Sequence, residues 1–110
     1  KDCNMSVQDP FYLVREEIQD SVKEVQGAFT KWDRLPRGNQ EKARLAEECQ
    51  AQCESIVWQL DELEHATNTA EKNYERFQID PEELKGRRRW TQATRSQVTL
   101  ITAAIKEFNI

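Results

Sequence analysis

The sequence contains few side chains whose type and spacing could support catalysis, and its single histidine, His65, is the first to consider. A general base needs a partnered, partly desolvated position, usually in a cleft that shifts its pKa. Helical spacing instead puts His65 on the same face as Trp58 and Glu62, away from the apolar residues of its segment. We therefore predict that His65 is a surface residue without a catalytic role.

Two cysteines, Cys49 and Cys53, are four residues apart, a spacing at which two side chains on one helical turn could share a metal ion. Zinc requires four ligands, or three ligands and a water molecule, and the sequence has no second Cys or His pair. Both cysteines also occupy apolar positions of their helix, where a free cysteine behaves as a small hydrophobic residue. We predict that they fill the core and that the protein binds no metal ion or other cofactor. Three scattered cysteines do not form a disulfide framework, which favours a reducing, cytosolic compartment.

Carboxylates are numerous, since 20 Asp and Glu residues outnumber 16 Lys and Arg residues and give a formal net charge of −4. Paired carboxylates perform acid–base chemistry only in a protected cleft. The sequence contains neither a Gly-rich phosphate loop nor a nucleophile elbow. A negative net charge also disfavours nucleic-acid binding, which requires a basic surface. The composition therefore argues against an enzyme and against a nucleic-acid-binding protein, and it favours a protein-binding module.

The elements that must position these residues are long amphipathic helices. Of the 110 residues, 37% are apolar and 33% are charged, which suits a thin core between helices with solvated outer faces. Three Gly and three Pro provide too few turns for a β-sandwich. No stretch approaches the ~20 apolar residues of a membrane span, and the first residues lack the pattern of a signal peptide. We predict one all-α domain.

Apolar residues recur at steps of three and four in three segments, which predicts helices at about residues 10–35, 40–74 and 81–108. The first helix is expected to end near Leu35, because Pro36 disfavours a helical residue before it. The predicted apolar stripes are Phe11, Val14, Ile18, Val22, Val25, Phe29 and Trp32; Leu45, Cys49, Cys53, Ile56, Leu60, Leu63, Thr67, Ala70 and Tyr74; and Leu84, Trp90, Thr91, Thr94, Val98, Ile101, Ile105 and Phe108.

Two helix starts have the same signature. Asp9-Pro10 and Asp80-Pro81 each combine an N-cap residue with proline at the first helical position. Glu83 then completes an arrangement that resembles a capping box. Residues 5–110 are expected to form the domain, and residues 1–4 are expected to be an expression remnant.

Short connections between long helices favour antiparallel neighbours, so we predict an up-down-up, antiparallel three-helix bundle. Stripes spaced near 3.5 residues favour a left-handed twist. Thr91 and Thr94 make the third stripe the least apolar, which should leave a groove between the first and third helices. Phe77 and Ile79 are expected to plug one end of the bundle.

One basic cluster, formed by Arg87, Arg88 and Arg89, is a candidate partner-binding site. Cations near a helix N-terminus are mildly unfavourable, so helix stability alone does not explain it. An acidic partner segment or anionic lipid would suit the cluster, and a solvated face balanced by nearby glutamates is the alternative. Arg87 projects toward the apolar stripe, where we expect its stem to cover Leu84 while its charged head reaches water.

Exposed aromatic residues are further candidates for partner contact. Trp58 lies about 200° around its helix from the apolar stripe, and tryptophan often anchors a protein partner. A solvent-exposed side chain without a partner is the alternative for Trp58. Tyr12 and Leu13 also lie off their stripe, and we expect them, with Phe11 and the arginine cluster, to line the end of the groove between the first and third helices.

These same segments resemble a known family, the N-terminal domains of syntaxin-6-type SNAREs. The sequences DPFYLV at residues 9–14, SIVWQLDEL at residues 55–63 and RRRWT at residues 87–91 are similar to that family's opening, its second helix and the entry into its third helix. The likeness covers residues 6–105 with the spacing preserved. Val57, where the family commonly has an acidic residue, and Gly86 are departures from the pattern.

The resemblance implies a non-catalytic, regulatory (Habc-like) domain that precedes a SNARE motif and a C-terminal membrane anchor. It implies vesicle traffic and membrane fusion between endosomes and the trans-Golgi network, on the cytosolic face of those membranes. The implied partners are a subunit of a vesicle-tethering complex of the Golgi-associated retrograde type, other SNARE proteins, or the parent's own SNARE motif. We expect the fragment to be a monomer that binds a short amphipathic segment in a groove. The alternative is a spectrin-like helical repeat that acts as a structural spacer.

Overall fold

The structure, a computed structural model, describes residues 10–73 and 78–108. Within these ranges the chain forms three helices: α1 (Phe11–Arg34), α2 (Gln40–Lys72) and α3 (Pro81–Phe108). The molecule is elongated, with principal extents of 57 × 24 × 17 Å. The predicted all-α three-helix fold is confirmed. The expectations for residues 1–4, Asp9, Tyr74 and Phe77 lie outside the described residues.

The predicted helix boundaries agree with the structure to within two residues. Pro10 was expected at the first helical position, but it precedes α1, because its ψ of 2° is not helical while its carbonyl already accepts a hydrogen bond from the Val14 N–H at 3.0 Å. The second helix ends two residues early, where the Asn73 N–H donates to a carbonyl of the last turn. Asp80 caps α3 as predicted, since its Oδ1 accepts a hydrogen bond from the Glu82 N–H at 2.9 Å.

The turn between α1 and α2 follows from its residue types. Leu35 is extended at the end of α1, as expected for a residue before proline. Gly38 has a φ of 88°, in the left-handed region that favours glycine. Asn39 then caps α2, because its side chain accepts hydrogen bonds from the N–H groups of Glu41 at 2.7 Å and Lys42 at 3.3 Å.

Contacts between helix ends give the directions of the helices. The Tyr12 hydroxyl donates to the Glu83 carboxylate, which joins the start of α1 to the start of α3. The rings of Trp32 and Phe108, 5.1 Å apart, join the ends of the same two helices. Arg88 in the first turns of α3 pairs with a carboxylate near the end of α2. Helices α1 and α3 therefore run in one direction and α2 runs in the other, as an up-down-up bundle; the left-handed twist stays a prediction.

The core consists of the predicted stripes. Buried side chains alternate at three- and four-residue steps on each helix and meet along the bundle axis. The least exposed of them are Ile18, Val25, Cys49, Leu60 and Ile105, each 0% exposed. A smaller cluster at the other end contains Ala70, Ile79 and Leu84, and it confirms the expected burial of Ile79.

Two buried residues of α2, Lys42 and Ala46, were not in the predicted stripe. Lys42 is 6% exposed, and its ammonium donates to the carbonyl oxygens of Trp32 and Leu35, both at 2.8 Å. The carbonyls in the last turn of a helix have no partner within the helix. Lys42 on α2 therefore caps the C-terminus of α1, and its charge lies 4.3 Å from the centre of the Trp32 ring.

Candidate protein-binding surfaces

The first turns of α1 and α3 meet at a corner built around Arg87. This arginine is 6% exposed, and its Nε donates to the Glu83 Oε2 at 3.0 Å. Its guanidinium lies over the rings of Phe11 and Tyr12, at 4.6 Å and 5.4 Å from their centroids. The expectation that the head of Arg87 reaches water was wrong, because a carboxylate and two aromatic rings compensate its burial. Phe11 is 2% exposed, so both side chains support this corner from within.

Tyr12 and Leu13 form the outer surface of the same corner. They are 51% and 65% exposed. The pKa of Tyr12 is raised, chiefly because its hydroxyl donates to the Glu83 carboxylate, and burial and the negative charge of Glu83 add to this effect. Arg15 lies against the rings of Tyr12 and Trp90, 5.6 Å and 5.2 Å from their centroids. The corner thus presents an apolar and aromatic surface beside the half-buried positive charge of Arg15.

The arginine cluster divides into three different environments. Arg87 is buried as described, whereas Arg88 reaches back to α2, where it donates to Asn68 at 2.8 Å and pairs with Glu71. Arg89 is exposed and has no ion pair among residues 10–73 and 78–108. Of the three, Arg89 is therefore the arginine that is available to a partner without breaking a contact of the fold.

A groove runs between α1 and α3. Helix α2 packs closely against both other helices, whereas in the described ranges α1 and α3 approach each other at few points. The groove has a volume of about 430 Å³. It is lined by Gln19, Val22, Lys23, Gln26, Trp90, Ala93, Thr94 and Gln97. Thr94 was expected at this place, whereas Trp90 was predicted only as a residue of the apolar stripe. The three glutamine amides offer donors and acceptors to a bound segment.

Trp58 lies on the outer face of α2, and its 67% exposure agrees with the predicted facing. His65 is exposed on the same helix, as predicted. Leu100 on α3 is 70% exposed and was missed, although its position between the stripe residues Val98 and Ile101 was a readable signal. These exposed apolar side chains are natural candidates for partner contact.

The two cysteines of α2 are buried, as their place in the stripe predicted. Burial raises the pKa of the Cys49 thiol to about 11, and it raises the pKa of Cys53 as well, so both thiols are unreactive at neutral pH. In the part of the chain that the structure describes, no three His, Cys, Asp or Glu side chains converge where they could hold a metal ion. Across the same residues, no helix has an apolar stretch sufficient to span a bilayer.

Comparison with known proteins places these features in a family. The family model for the N-terminal domain of syntaxins 6, 10 and 61 matches residues 9–102. The chain is 46% identical to Syntaxin-61 of Arabidopsis thaliana over 100 residues, which cover 91% of this chain and 41% of that protein. It is 32% identical to Syntaxin-6 of Rattus norvegicus over 99 residues (86% and 39%) and 29% identical to human Syntaxin-10 over 99 residues (86% and 40%). The chain thus spans about two-fifths of the length of these relatives. It belongs to the family of syntaxin 6/10/61 N-terminal domains.

Proposed function

We propose that this chain is the non-catalytic, regulatory N-terminal domain of a SNARE protein that acts in vesicle traffic and membrane fusion between endosomes and the trans-Golgi network. Family membership supports this role and favours it over the spectrin-like spacer. In this proposal the domain lies on the cytosolic face of those membranes, and a C-terminal anchor of the parent protein holds it there.

The partner is a short amphipathic segment from a subunit of a vesicle-tethering complex, of the Golgi-associated retrograde type, which binds in the groove between α1 and α3. The observation that carries this proposal is the groove itself, about 430 Å³ in volume, between two helices that otherwise touch at few points. Its floor is apolar where Val22 and Trp90 line it, and its rim is polar. Such a groove suits the helix-in-groove mode of recognition.

The charges around the groove favour an acidic segment. Lys23 lines it, Arg15 lies at its end against Trp90, and Arg89 is exposed on α3 close by. The rim charges of an interface steer the encounter and set its specificity more than its affinity. Tyr12 lies on the face of α1 that lines the groove and extends its apolar surface at this end, as expected for an anchor of the first turn of a bound segment. The exposed Leu13 lies about a third of a turn away around the helix.

The test is titration of the ¹⁵N-labelled domain with N-terminal peptides of Golgi tethering subunits, followed by NMR. Shifts confined to the groove residues of α1 and α3 would support the proposal. Ala93 is exposed in the groove, so Ala93→Tyr should block it and abolish these shifts. Ala103 is exposed on the same helix but outside the groove, and Ala103→Tyr is the matched control that should bind normally.

If the tether peptides do not bind, SNARE motifs become the next candidate partners. If the tether peptides cause no shifts at millimolar concentration, the same titration should be repeated with the SNARE motif of the parent protein and with motifs of other SNAREs. Groove shifts with the parent's own motif would make the domain an autoinhibitory module. Equal binding by the Ala93→Tyr and Ala103→Tyr variants would show that the groove is not the binding site.

A further inference from the structure

A second surface, distinct from the groove between α1 and α3, is centred on the exposed indole of Trp58. Its 67% exposure leaves a large aromatic side chain in water on the outer face of α2. Beside it, a second groove of about 490 Å³ opens between α2 and α3. That groove is lined by Gln50, Ala51, Cys53, Glu54, Val57, Thr102 and Lys106. We call Trp58 and this groove together the Trp58 surface.

The seam between α2 and α3 is closed by ion pairs in one half only. Arg95 pairs with Asp61 and Glu64, both at 3.0 Å, and Arg88 pairs with Glu71. These pairs join the second half of α2 to the first half of α3. In the other half, Lys106 has no ion pair within the described ranges. The rim of the seam therefore has no ion pair among the described residues on the side of Trp58 where the groove lies.

The charge around the indole is negative. Glu47, Glu54 and Glu62 lie on the same helical face as Trp58, all are exposed, and none has an ion pair among the described residues. Two cations, Arg44 and Lys72, lie on that face near the two ends of α2, and Arg44 is already held by carboxylates of its own helix. Lys106 across the groove is the opposing positive charge. A segment that covers the indole would thus meet mainly carboxylates.

We propose that the Trp58 surface binds a basic amphipathic helical segment of a partner protein. The apolar side of the segment lies against the indole and the groove residues Ala51 and Val57, while its Lys or Arg side chains pair with Glu54 and Glu62. A cation over an indole face and charge-assisted hydrogen bonds to carboxylates are both favourable contacts at such a site. None of the residues that line the groove between α1 and α3 belongs to this surface, so the two sites can be tested separately.

The probe is a 15-residue helical peptide of Lys and Leu with one apolar face, added to the ¹⁵N-labelled domain. The three tryptophans give three indole N–H signals, and Trp58→Phe identifies the signal of Trp58. We expect the Trp58 signal to shift on binding while the signal of the buried Trp32 stays in place. Trp58→Ala should weaken binding by roughly tenfold or more, as for an anchoring tryptophan. Its thermal melt should match the wild type, because the side chain is largely exposed.

Charge-matched variants test the site against general attraction to an acidic protein. The double variant Glu54→Gln/Glu62→Gln should weaken binding by roughly three- to tenfold. The control, Glu17→Gln/Glu24→Gln, makes the same charge change at exposed positions of α1 and should leave binding unchanged. An equal loss in both double variants would mean diffuse electrostatics and would overturn the proposal.

Other occupants would also be recognised. A Glu/Leu peptide of the same length that shifts the Trp58 signal equally well would contradict the proposed charge of the partner. A Trp58 signal that shifts with protein concentration alone would identify a second copy of this chain as the occupant and would likewise overturn the proposal. A Trp58 signal that does not move at saturating Lys/Leu peptide would show that the surface does not bind a basic amphipathic helix, and it would overturn the proposal.

Discussion

The two ends of the bundle bury a cation against aromatic rings in different ways. At one end, the Lys42 ammonium lies 4.3 Å and 4.5 Å from the ring centroids of Trp32 and Phe108. At the other end, the Arg87 guanidinium lies 4.6 Å from the centroid of Phe11. Both side chains are 6% exposed. In each case a charged residue of one helix packs against aromatic rings of another helix at the end of the bundle.

The two cations differ in what accepts their hydrogen bonds. Lys42 donates to two backbone carbonyls at the end of α1, whose positions are set by the helix itself. Arg87 donates to the Glu83 carboxylate, which is 37% exposed and is shared with the hydroxyl of Tyr12. The Lys42 end is therefore a rigid cap, whereas the Arg87 end depends on side chains that water and a partner can reach. The Arg87 end also carries three of the exposed candidate contact residues, Tyr12, Leu13 and Arg89.

The largest expected loss of stability is at the Lys42 end of the bundle. Lys42→Met keeps most of the apolar stem but removes the donors. The Leu35 carbonyl loses the ammonium as its donor, the Trp32 carbonyl keeps only the Leu35 N–H, and the rings lose the cation. We expect the free energy of unfolding to fall by about 2–4 kcal/mol, measured by urea unfolding followed by circular dichroism. Lys72→Met, at an exposed position of the same helix, should change it by less than about 0.5 kcal/mol. Similar losses in both variants would contradict the capping role.

A smaller loss of stability is expected at the Arg87 end of the bundle. Arg87→Met should lower the free energy of unfolding by about 1–3 kcal/mol, because Glu83 can turn toward water when its partner is removed. Arg89→Met is the control, since Arg89 is exposed and should cost less than about 0.5 kcal/mol. The contrast between the two ends fails if Arg87→Met proves more costly than Lys42→Met.

The hydroxyl of Tyr12 should make the stability of the Arg87 end sensitive to alkaline pH. The pKa of Tyr12 is raised above its ordinary value of 10.0, because the neutral hydroxyl donates to Glu83. The folded state then holds this proton more tightly than the unfolded state, so the stabilisation is complete below pH 10.0 and is lost as the pH rises through the folded-state pKa. Since Tyr12 is half exposed, Tyr12→Phe should cost less than about 1 kcal/mol at neutral pH.

Unfolding measured at pH 8 and again above the pKa of Tyr12 tests this dependence. The difference in stability between the wild type and Tyr12→Phe should shrink at the higher pH. Lys72→Met, at an exposed position of α2, serves as the unaffected reference. A difference in stability that stays constant between these pH values would show that the Tyr12 hydroxyl does not stabilise this end through its hydrogen bond to Glu83.

The smallest expected effect is coupling between the ends. Arg87 and Phe108 are separated along α3 by about 30 Å at 1.5 Å per residue, and the two clusters share no side chain. Losses in the double variant Lys42→Met/Arg87→Met should therefore equal the sum of the single losses within about 0.5 kcal/mol. A larger deviation would mean that the ends communicate through the core.

Much of the fold could be predicted because burial follows a local rule. Leu60 and Trp58 are two residues apart on α2, yet they are 0% and 67% exposed, as the 3.6-residue period requires. Asn39 and Asp80 set the starts of their helices through hydrogen bonds to N–H groups only two or three residues away. Such contacts depend on neighbours in the sequence, so residue types and spacing are sufficient to find them.

The buried cations could not be predicted in the same way. The head of Arg87 was expected in water, but Phe11 and Tyr12 from α1 cover it, and these residues are distant in the sequence. Lys42 continues the spacing of the α2 stripe one step before Leu45, but a lysine at that position does not indicate burial, because its acceptors are carbonyls of another helix. The positions of the Lys42 acceptors and of the rings that cover Arg87 depend on where one helix begins or ends relative to another.

By itself, the sequence determined the three helices, their apolar stripes, the outward facing of Trp58 and the resemblance to the family, because periodicity, capping and motif spacing are properties of each segment alone. Only the tertiary structure decided that a second groove opens between α2 and α3 and which arginine of the cluster remains available. It also decided that the ends of the bundle are closed by Lys42 and Arg87. The physical reason is that a groove or a buried charge is made by groups from different helices, and their meeting depends on how the helices pack.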